Sequence, residues 1–161
     1  MIKYIAVWLL LFTFYVVFAG SLAPYTVITG AVVAAILSAV TSKYLVVDER
    51  KLFEVKRLAT LVFYFFKYIS IIELKCHMDV VKRLFTGDIR PGIVRVPITV
   101  KSRYARALVA LSITNTPGTV VIDEKGDYFY VNWIYVSTTD PAEARKAISE
   151  EFEVYASKIF E

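Results

Sequence analysis

The sequence predicts a membrane α-helical hairpin followed by a small α+β domain. Three observations predict it. Two apolar runs, residues 4–19 and 22–40, are almost free of charge and separated only by Gly20-Ser21-Leu22-Ala23-Pro24. The chain is 57% hydrophobic and 15% aromatic, with a mean hydropathy of +0.56, beyond the usual balance of a soluble domain. From residue 93 onward the apolar spacing changes to a period of two and then to short helical repeats, the pattern of a small mixed domain.

Crossing a hydrocarbon core of roughly 30 Å takes about 20 apolar residues in a helix, and segments 2–19 and 22–41 come close to that length. Inside lipid the backbone must satisfy its own hydrogen bonds, so both runs are expected to be helical despite their Val, Ile and Thr content. The first could instead serve as a signal peptide, with Lys3 at its start and Val17-Phe18-Ala19 as a weak cleavage site. A second apolar run following at once argues against that. The second helix carries Gly30, Ala31, Ala34, Ala35, Ser38 and Ala39 at spacings of three and four, a face that lets another helix backbone approach closely. That face is the expected contact with another subunit, whereas Trp8, Phe12, Phe14, Tyr15 and Phe18 give the first helix bulk.

Charge sets the orientation. The interhelical turn has none, whereas the 43–57 loop holds Lys43, Arg50, Lys51, Lys56 and Arg57, so the positive-inside rule places both ends of the hairpin in the cytoplasm. Residues 1–90 carry eleven Lys/Arg against six Asp/Glu, and residues 91–161 eight against nine. The net charge of +4 therefore belongs to the membrane half and reads as topology, not as a nucleic-acid surface. The expected location is a multi-pass plasma-membrane chain with a cytoplasmic C-terminal domain.

The third apolar segment, 58–72, is short, contains Lys67, and runs into Glu73, Lys75, His77, Asp79, Lys82 and Arg83. A full span would carry those basic residues outside, so a helix over 58–88, interfacial or partly inserted, is the better reading. On a wheel of about 100° per residue its polar residues fall on two arcs and leave only a narrow apolar stripe. Phe63, Tyr64, Phe65, Phe66 and Tyr68 form an aromatic cluster of the interfacial kind. Lys67 and Glu73 are the candidate polar residues at membrane depth, where an ionisable group usually faces a partner or a water path. The favoured alternative has Lys67 snorkelling to the headgroups and Glu73 already in water.

Thr86-Gly87-Asp88 and Pro91-Gly92 close that helix. The remaining order is β-α-β-β-α: a strand at 93–100 whose Pro97 suits an edge or bulge; a helix at 104–114 with Ser102 as N-cap and Ala105, Leu108, Leu111 and Ser112 on one face; a Thr116-Pro117-Gly118 turn; strands at 119–123 and 128–136 joined as a hairpin; and a helix at 142–160. Asp140 is expected to cap that last helix with Pro141 at its start and Glu143 as capping-box partner, burying Ala144, Ile148, Phe152, Tyr155 and Ile159. The domains are thus 1–42, 43–57, 58–88 and 89–161.

No chemistry of its own is legible. The lone Cys76 excludes an intramolecular disulfide, and there is no Cys/His cluster for a metal. Cys76 and His77, adjacent on a helix, point about 100° apart and form no working pair. The six glycines are scattered, so no phosphate-cradling loop exists. The acidic pairs Asp48-Glu49, Asp123-Glu124 and Glu150-Glu151 read as solvated loops or helix faces. No catalytic residue, cofactor, metal or small-molecule substrate is expected. Gln is absent and Asn occurs only at 115 and 132, a bias seen in heat-adapted proteins.

The motifs Arg90-Pro-Gly-Ile-Val-Arg-Val-Pro97, Ser112-Ile-Thr-Asn-Thr-Pro-Gly-Thr119 and Tyr130-Val-Asn-Trp133, with the acidic amphipathic C-terminal helix, resemble the E-type subunit of the multisubunit Na+/H+ antiporters, the Mrp or Mnh family. The resemblance covers nearly the whole length, and Thr116-Pro117-Gly118 is its most specific element. Asn115 stands where the family leads one to expect an apolar residue, and Asn132 where it leads one to expect histidine. The resemblance implies an accessory subunit, not an enzyme, whose partners are other hydrophobic subunits and the lipid bilayer. It extends to antiporter-like modules of archaeal respiratory complexes such as membrane-bound hydrogenases. The other reading is a stand-alone membrane-anchored module whose cytoplasmic domain recruits a soluble partner.

Overall fold

The computed structural model describes residues 1–46, 48, 51 and 54–161. Glu49 and Arg50 of the charged 43–57 loop lie outside the described residues. The chain divides into two compact units, Met1–Glu54 and Val55–Glu161.

The first unit is a helical hairpin. Helix α1, Ile2–Ala19, ends at Gly20 with φ 59°, and the Gly20 N–H donates to the Val16 and Val17 carbonyls. A left-handed cap of this kind is where glycine avoids the Cβ penalty. Helix α2, Pro24–Leu45, starts with its proline at the first helical position, where a missing N–H costs nothing. Both helices are long and apolar enough to cross a membrane, with mean hydropathy 2.0 and 1.7. Only Val7 of α1 is buried, and along α2 only Gly30, Ala34, Ser38 and Ser42 are. A core helix of a soluble protein would be covered on far more of its surface.

The second unit is an α+β body built on a three-stranded antiparallel sheet of order β1-β3-β2. Strand β1, Gly92–Pro97, is an edge strand, paired from Gly92 opposite Trp133 to Pro97 opposite Tyr128. Pro97 is its last residue, where a missing N–H leaves no gap in the ladder. Strands β2, Thr119–Lys125, and β3, Tyr128–Trp133, meet at a turn whose Gly126 has φ 55°, and a bulge interrupts β2 between Val121 and Asp123. Alternation holds as expected: Val94, Val96, Ile98, Val100, Phe129 and Val131 are buried. After Trp133 the chain bends out of the strand but stays paired with the segment before β1, the Arg90 and Val136 N–H groups donating to the Ile134 and Arg90 carbonyls.

Helix α5, Arg103–Asn115, buries Ala105, Val109, Ser112 and Ile113. The stripe lies one position from the expected one: Leu108 is partly buried, and Leu111 is 67% exposed. Ser102 occupies the N-cap with extended backbone but makes no side-chain cap bond.

The single C-terminal helix predicted for 142–160 is two helices, α6, Pro141–Ile148, and α7, Glu150–Phe160. Asp140 caps α6, its Oδ1 accepting from the Ala142 and Glu143 N–H groups at 3.0 and 2.9 Å. Glu143 completes no capping box; it accepts instead from the Thr138 hydroxyl at 2.7 Å. The break falls at Ser149, whose φ of −118° departs from helical geometry. Its fully buried hydroxyl donates to Glu153 Oε1 at 2.7 Å. Ala144, Ile148, Phe152 and Ile159 are buried as expected, with Ala156 beside them and Tyr155 at the margin.

The third helical segment belongs to this same unit. It runs as α3, Val55–Lys67, a π-helical turn over Tyr68–Ile72, and α4, Glu73–Thr86. The π turn is marked by the Glu73 N–H bonded to the Tyr68 carbonyl, five residues back. Tyr64 and Ile72 enter the domain core, and Tyr68 and Cys76 pack against it. A π turn takes up one extra residue, so a constant 100° step puts α3 and α4 out of phase; the two polar arcs themselves both lie on α4, with Glu73 and His77 on one side and Lys75, Asp79 and Lys82 on the other.

Candidate functional site

The polar residues singled out on the third segment sit in the seam between that helix and the α+β domain. Lys67, at the end of α3, pairs with Glu151 of α7 at 2.6 Å and donates to the Tyr155 hydroxyl at 3.2 Å. Its ammonium also lies 5.1 Å from the Tyr155 ring centroid, within cation–π range. The hydrogen bond to Glu151, followed by that to Tyr155, raises the Lys67 pKa above its ordinary value.

Glu73, at the start of α4, belongs to a second group. Its Oε1 accepts from Asn115 Nδ2 at 2.9 Å, and its Oε2 lies 3.2 Å from His77 Nδ1. Asn115 also donates to the Tyr68 hydroxyl at 3.2 Å, and that hydroxyl donates to the Ser112 carbonyl at 3.1 Å. The Tyr64 and Ser112 hydroxyls share a further buried hydrogen bond. Burial pushes the Tyr64 phenol up to about 12, so it stays a neutral donor and acceptor. Lys67 and Glu73 are thus each tied to the domain, through different partners, and are not brought to one another. Asn115 does a job in this fold that an apolar residue would leave undone: it bridges α5 to the π turn and to α4.

The turn Thr116-Pro117-Gly118 closes α5 and packs the seam from the other end. The Thr116 hydroxyl donates to the Ser112 and Ile113 carbonyls at 3.0 and 2.8 Å, and the Thr119 hydroxyl to the Ile113 carbonyl at 2.7 Å. These satisfy carbonyls that a helix end leaves without an intrahelical partner. Gly118 has φ 95°, and a Cβ there would lie 2.9 Å from Ile134 Cγ2 and 3.4 Å from Val80 Cγ2. Both the backbone angle and the closeness of α4 demand glycine.

On α2 the small-residue face splits in two. Gly30 faces α1, with an added Cβ only 2.6 Å from the Tyr15 ring, and Ala34 lines an apolar groove with Leu11, Phe14, Tyr15 and Phe18. Ser38 and Ser42 continue that buried row. Ala31 is partly exposed, its carbonyl accepting from the Trp8 indole N–H at 3.0 Å, and Ala35 and Ala39 are exposed.

Of two further groups, the first is the Cys76–His77 pair already met in the sequence, and only the second escaped that reading. Cys76 is half-buried against the core, with burial pushing its thiol up, while the neighbouring His77 is exposed and bonds back to the Glu73 carbonyl at 2.8 Å. That arrangement is a helix-surface one. The other group centres on Glu153, 2% exposed, which accepts from the Thr99 N–H at 2.8 Å and hydroxyl, from Ser149, and from Arg145 at 3.0 Å. No motif announces it, because two of the four donors come from Thr99, 54 residues away in the chain.

The family model described as "Na+/H+ ion antiporter subunit", MNHE, matches residues 8–159. The E-type Na+/H+ antiporter subunit of Alkalihalophilus pseudofirmus is 28% identical over 148 residues, covering 89% of this chain and 87% of that one. Among solved structures, a chain of the membrane-bound sulfane sulfur reductase, an archaeal respiratory membrane complex, superimposes with a TM-score of 0.84 at 27% identity, over 99% of this chain and 100% of its own length. A chain of the Mrp complex from Dietzia aligns over 62% of this chain and 91% of its own, at 25% identity and a TM-score of 0.40. With a family match running over almost its entire length, the chain belongs to the MNHE family of Na+/H+ antiporter subunits.

Proposed function

We propose that the chain works as an accessory, structural subunit of a monovalent cation/proton-translocating complex. In that role the hairpin is its anchor, the α+β domain stands on the cytoplasmic side, and the third helix lies at the membrane surface. The observation that carries the reading is the end-to-end likeness to a chain of a multisubunit respiratory membrane complex. That likeness also favours an antiporter-like module of an archaeal respiratory assembly over a free antiporter. Lys67 and Glu73 act in this reading as ties between helix and domain, since each has protein partners within hydrogen-bond range.

The contact with neighbouring subunits falls on Ala31, Ala35 and Ala39, because Gly30, Ala34 and Ser38 are taken up inside the hairpin. Close approach of helix backbones in lipid needs such small residues. Tagged full-length chain, extracted from its own membranes in mild detergent, is expected to bring down several other hydrophobic chains, including a long antiporter-type subunit. The double variant Ala35→Leu, Ala39→Leu should lose them. A wild-type chain that purifies as a lone, monodisperse species would overturn the proposal in favour of a stand-alone anchored module.

A further inference from the structure

Along the third helix a stripe of apolar residues is turned away from the domain, with His77 exposed at its border on α4, and the π turn keeps the stripe on one side. On α3, Leu58, Val62, Phe65 and Phe66 are 60, 48, 56 and 63% exposed, opposite the buried Tyr64. On α4 Leu84 is 75% exposed, and Leu74, Met78, Val81 and Phe85 are exposed as well, at 60, 61, 44 and 85%. At a constant 100° per residue the last four would fall roughly 140–200° from Leu58, on the far side of the rod; one residue absorbed in the π turn brings them back to within roughly 40–100°.

The width of the apolar surface changes along the rod. Among the exposed residues of α3 only Lys56 is charged, whereas the α4 stripe is flanked by the exposed Lys75, Asp79 and Lys82. Only residues 46–54 join α2 to α3, and nine residues reach at most about 32 Å when fully extended. Any bilayer that holds the hairpin is therefore within reach of α3.

Resting on the membrane-anchored reading above, we infer that this outer face is a lipid-binding surface, with α3 sunk into the acyl–headgroup boundary and α4 riding higher on it. An exposed apolar stripe with lysines along one edge has the chemistry of an interfacial helix: apolar residues enter the acyl region while the Lys75 and Lys82 ammonium groups meet lipid phosphates. A partner protein would not require the apolar arc to narrow in step with the charge that flanks it. A tilted rod on a planar interface does.

The test uses the full chain in its purified complex, reconstituted into liposomes, in a Cys76→Ala background. Nitroxide labels go at Val62, Phe65, Met78 and Phe85, with Lys75 and Asp79 as controls, and collision rates are measured with oxygen and with a water-soluble nickel chelate. The four stripe positions should favour oxygen over nickel severalfold relative to the controls, and Val62 and Phe65 should lie deeper than Met78 and Phe85. Stripe labels as open to nickel as the controls would overturn the inference, and so would labels shielded from both reagents by a neighbouring chain. Recovery of the intact complex beforehand decides the subunit reading separately.

Discussion

Glu153 shows how much one residue can hold together. Its carboxylate is fully enclosed by donors from the segment after β1, from the α6–α7 break and from α6 itself. Burial alone would raise its pKa; the bonds from the Thr99 hydroxyl and N–H, then Ser149 and Arg145, outweigh it, and the net shift is downward. A carboxylate with a lowered folded-state pKa adds stability that is complete above its ordinary value of 4.5 and is lost as pH falls through the folded value. Glu153→Gln should therefore cost about 1.5–3 kcal/mol at neutral pH, the range for hydrogen bonds to a charged group. Thermal melts of the two chains should converge as the pH falls below 4.5 and through the lowered folded-state value. At the same scale, Gly118→Ala combines an unfavourable φ with a contact against Ile134, and should lower the melting temperature. The Thr116-Pro117-Gly118 turn was legible in the sequence because proline and glycine carry their backbone preferences locally. Glu153 was not, because nothing in Glu-Glu-Phe-Glu says which carboxylate turns inward.

The elements of the third helix depend on phase. Reading 58–88 as one regular helix could not reveal its two faces, since an i→i+5 turn leaves no signature in a wheel of fixed step. The same limit hid the break at Ser149: Ser149 has no proline or glycine beside it, and its conformation is set by the buried bond to Glu153. The edge position of β1 and the β2–β3 hairpin follow from local cues, with Pro97 at a strand end and Gly126 in a tight turn, whereas the placing of β3 between β1 and β2 does not. The helix–domain seam is held by a few polar ties around an aromatic contact, with the Tyr64 and Tyr155 ring centroids 5.0 Å apart. Tyr64→Phe removes the bond to Ser112 and should cost about 1 kcal/mol. Lys67→Met, at a half-exposed ion pair, should cost no more than about 1 kcal/mol. In the double variant, amide hydrogen exchange should accelerate in α3 and the π turn while the sheet stays protected; uniform acceleration would mean that the seam is not an independent unit.

For the whole molecule, composition and the two uncharged runs made the hairpin plain before any coordinates, because lipid tolerates so few alternatives to a helix. The α+β domain was legible as an order of elements. Its union with the third helix into one unit was not, since long-range contacts such as Lys67 with Glu151 and Asn115 with Glu73 leave no trace in local spacing. The small-residue face of α2 shows both sides of this: its spacing marked a packing surface, yet only the structure divides it into a row that receives α1 and a row left open.

Sidedness tests the account at its centre. In a Cys76→Ala background, a single cysteine placed at the exposed Lys125 and another in the interhelical turn at Ser21 can be challenged with a membrane-impermeant maleimide in sealed vesicles of known orientation. Position 125 should react only in inside-out vesicles and position 21 only in right-side-out ones. Labelling of position 125 from the external face would contradict the cytoplasmic domain and, with it, the anchor-and-platform reading of this subunit.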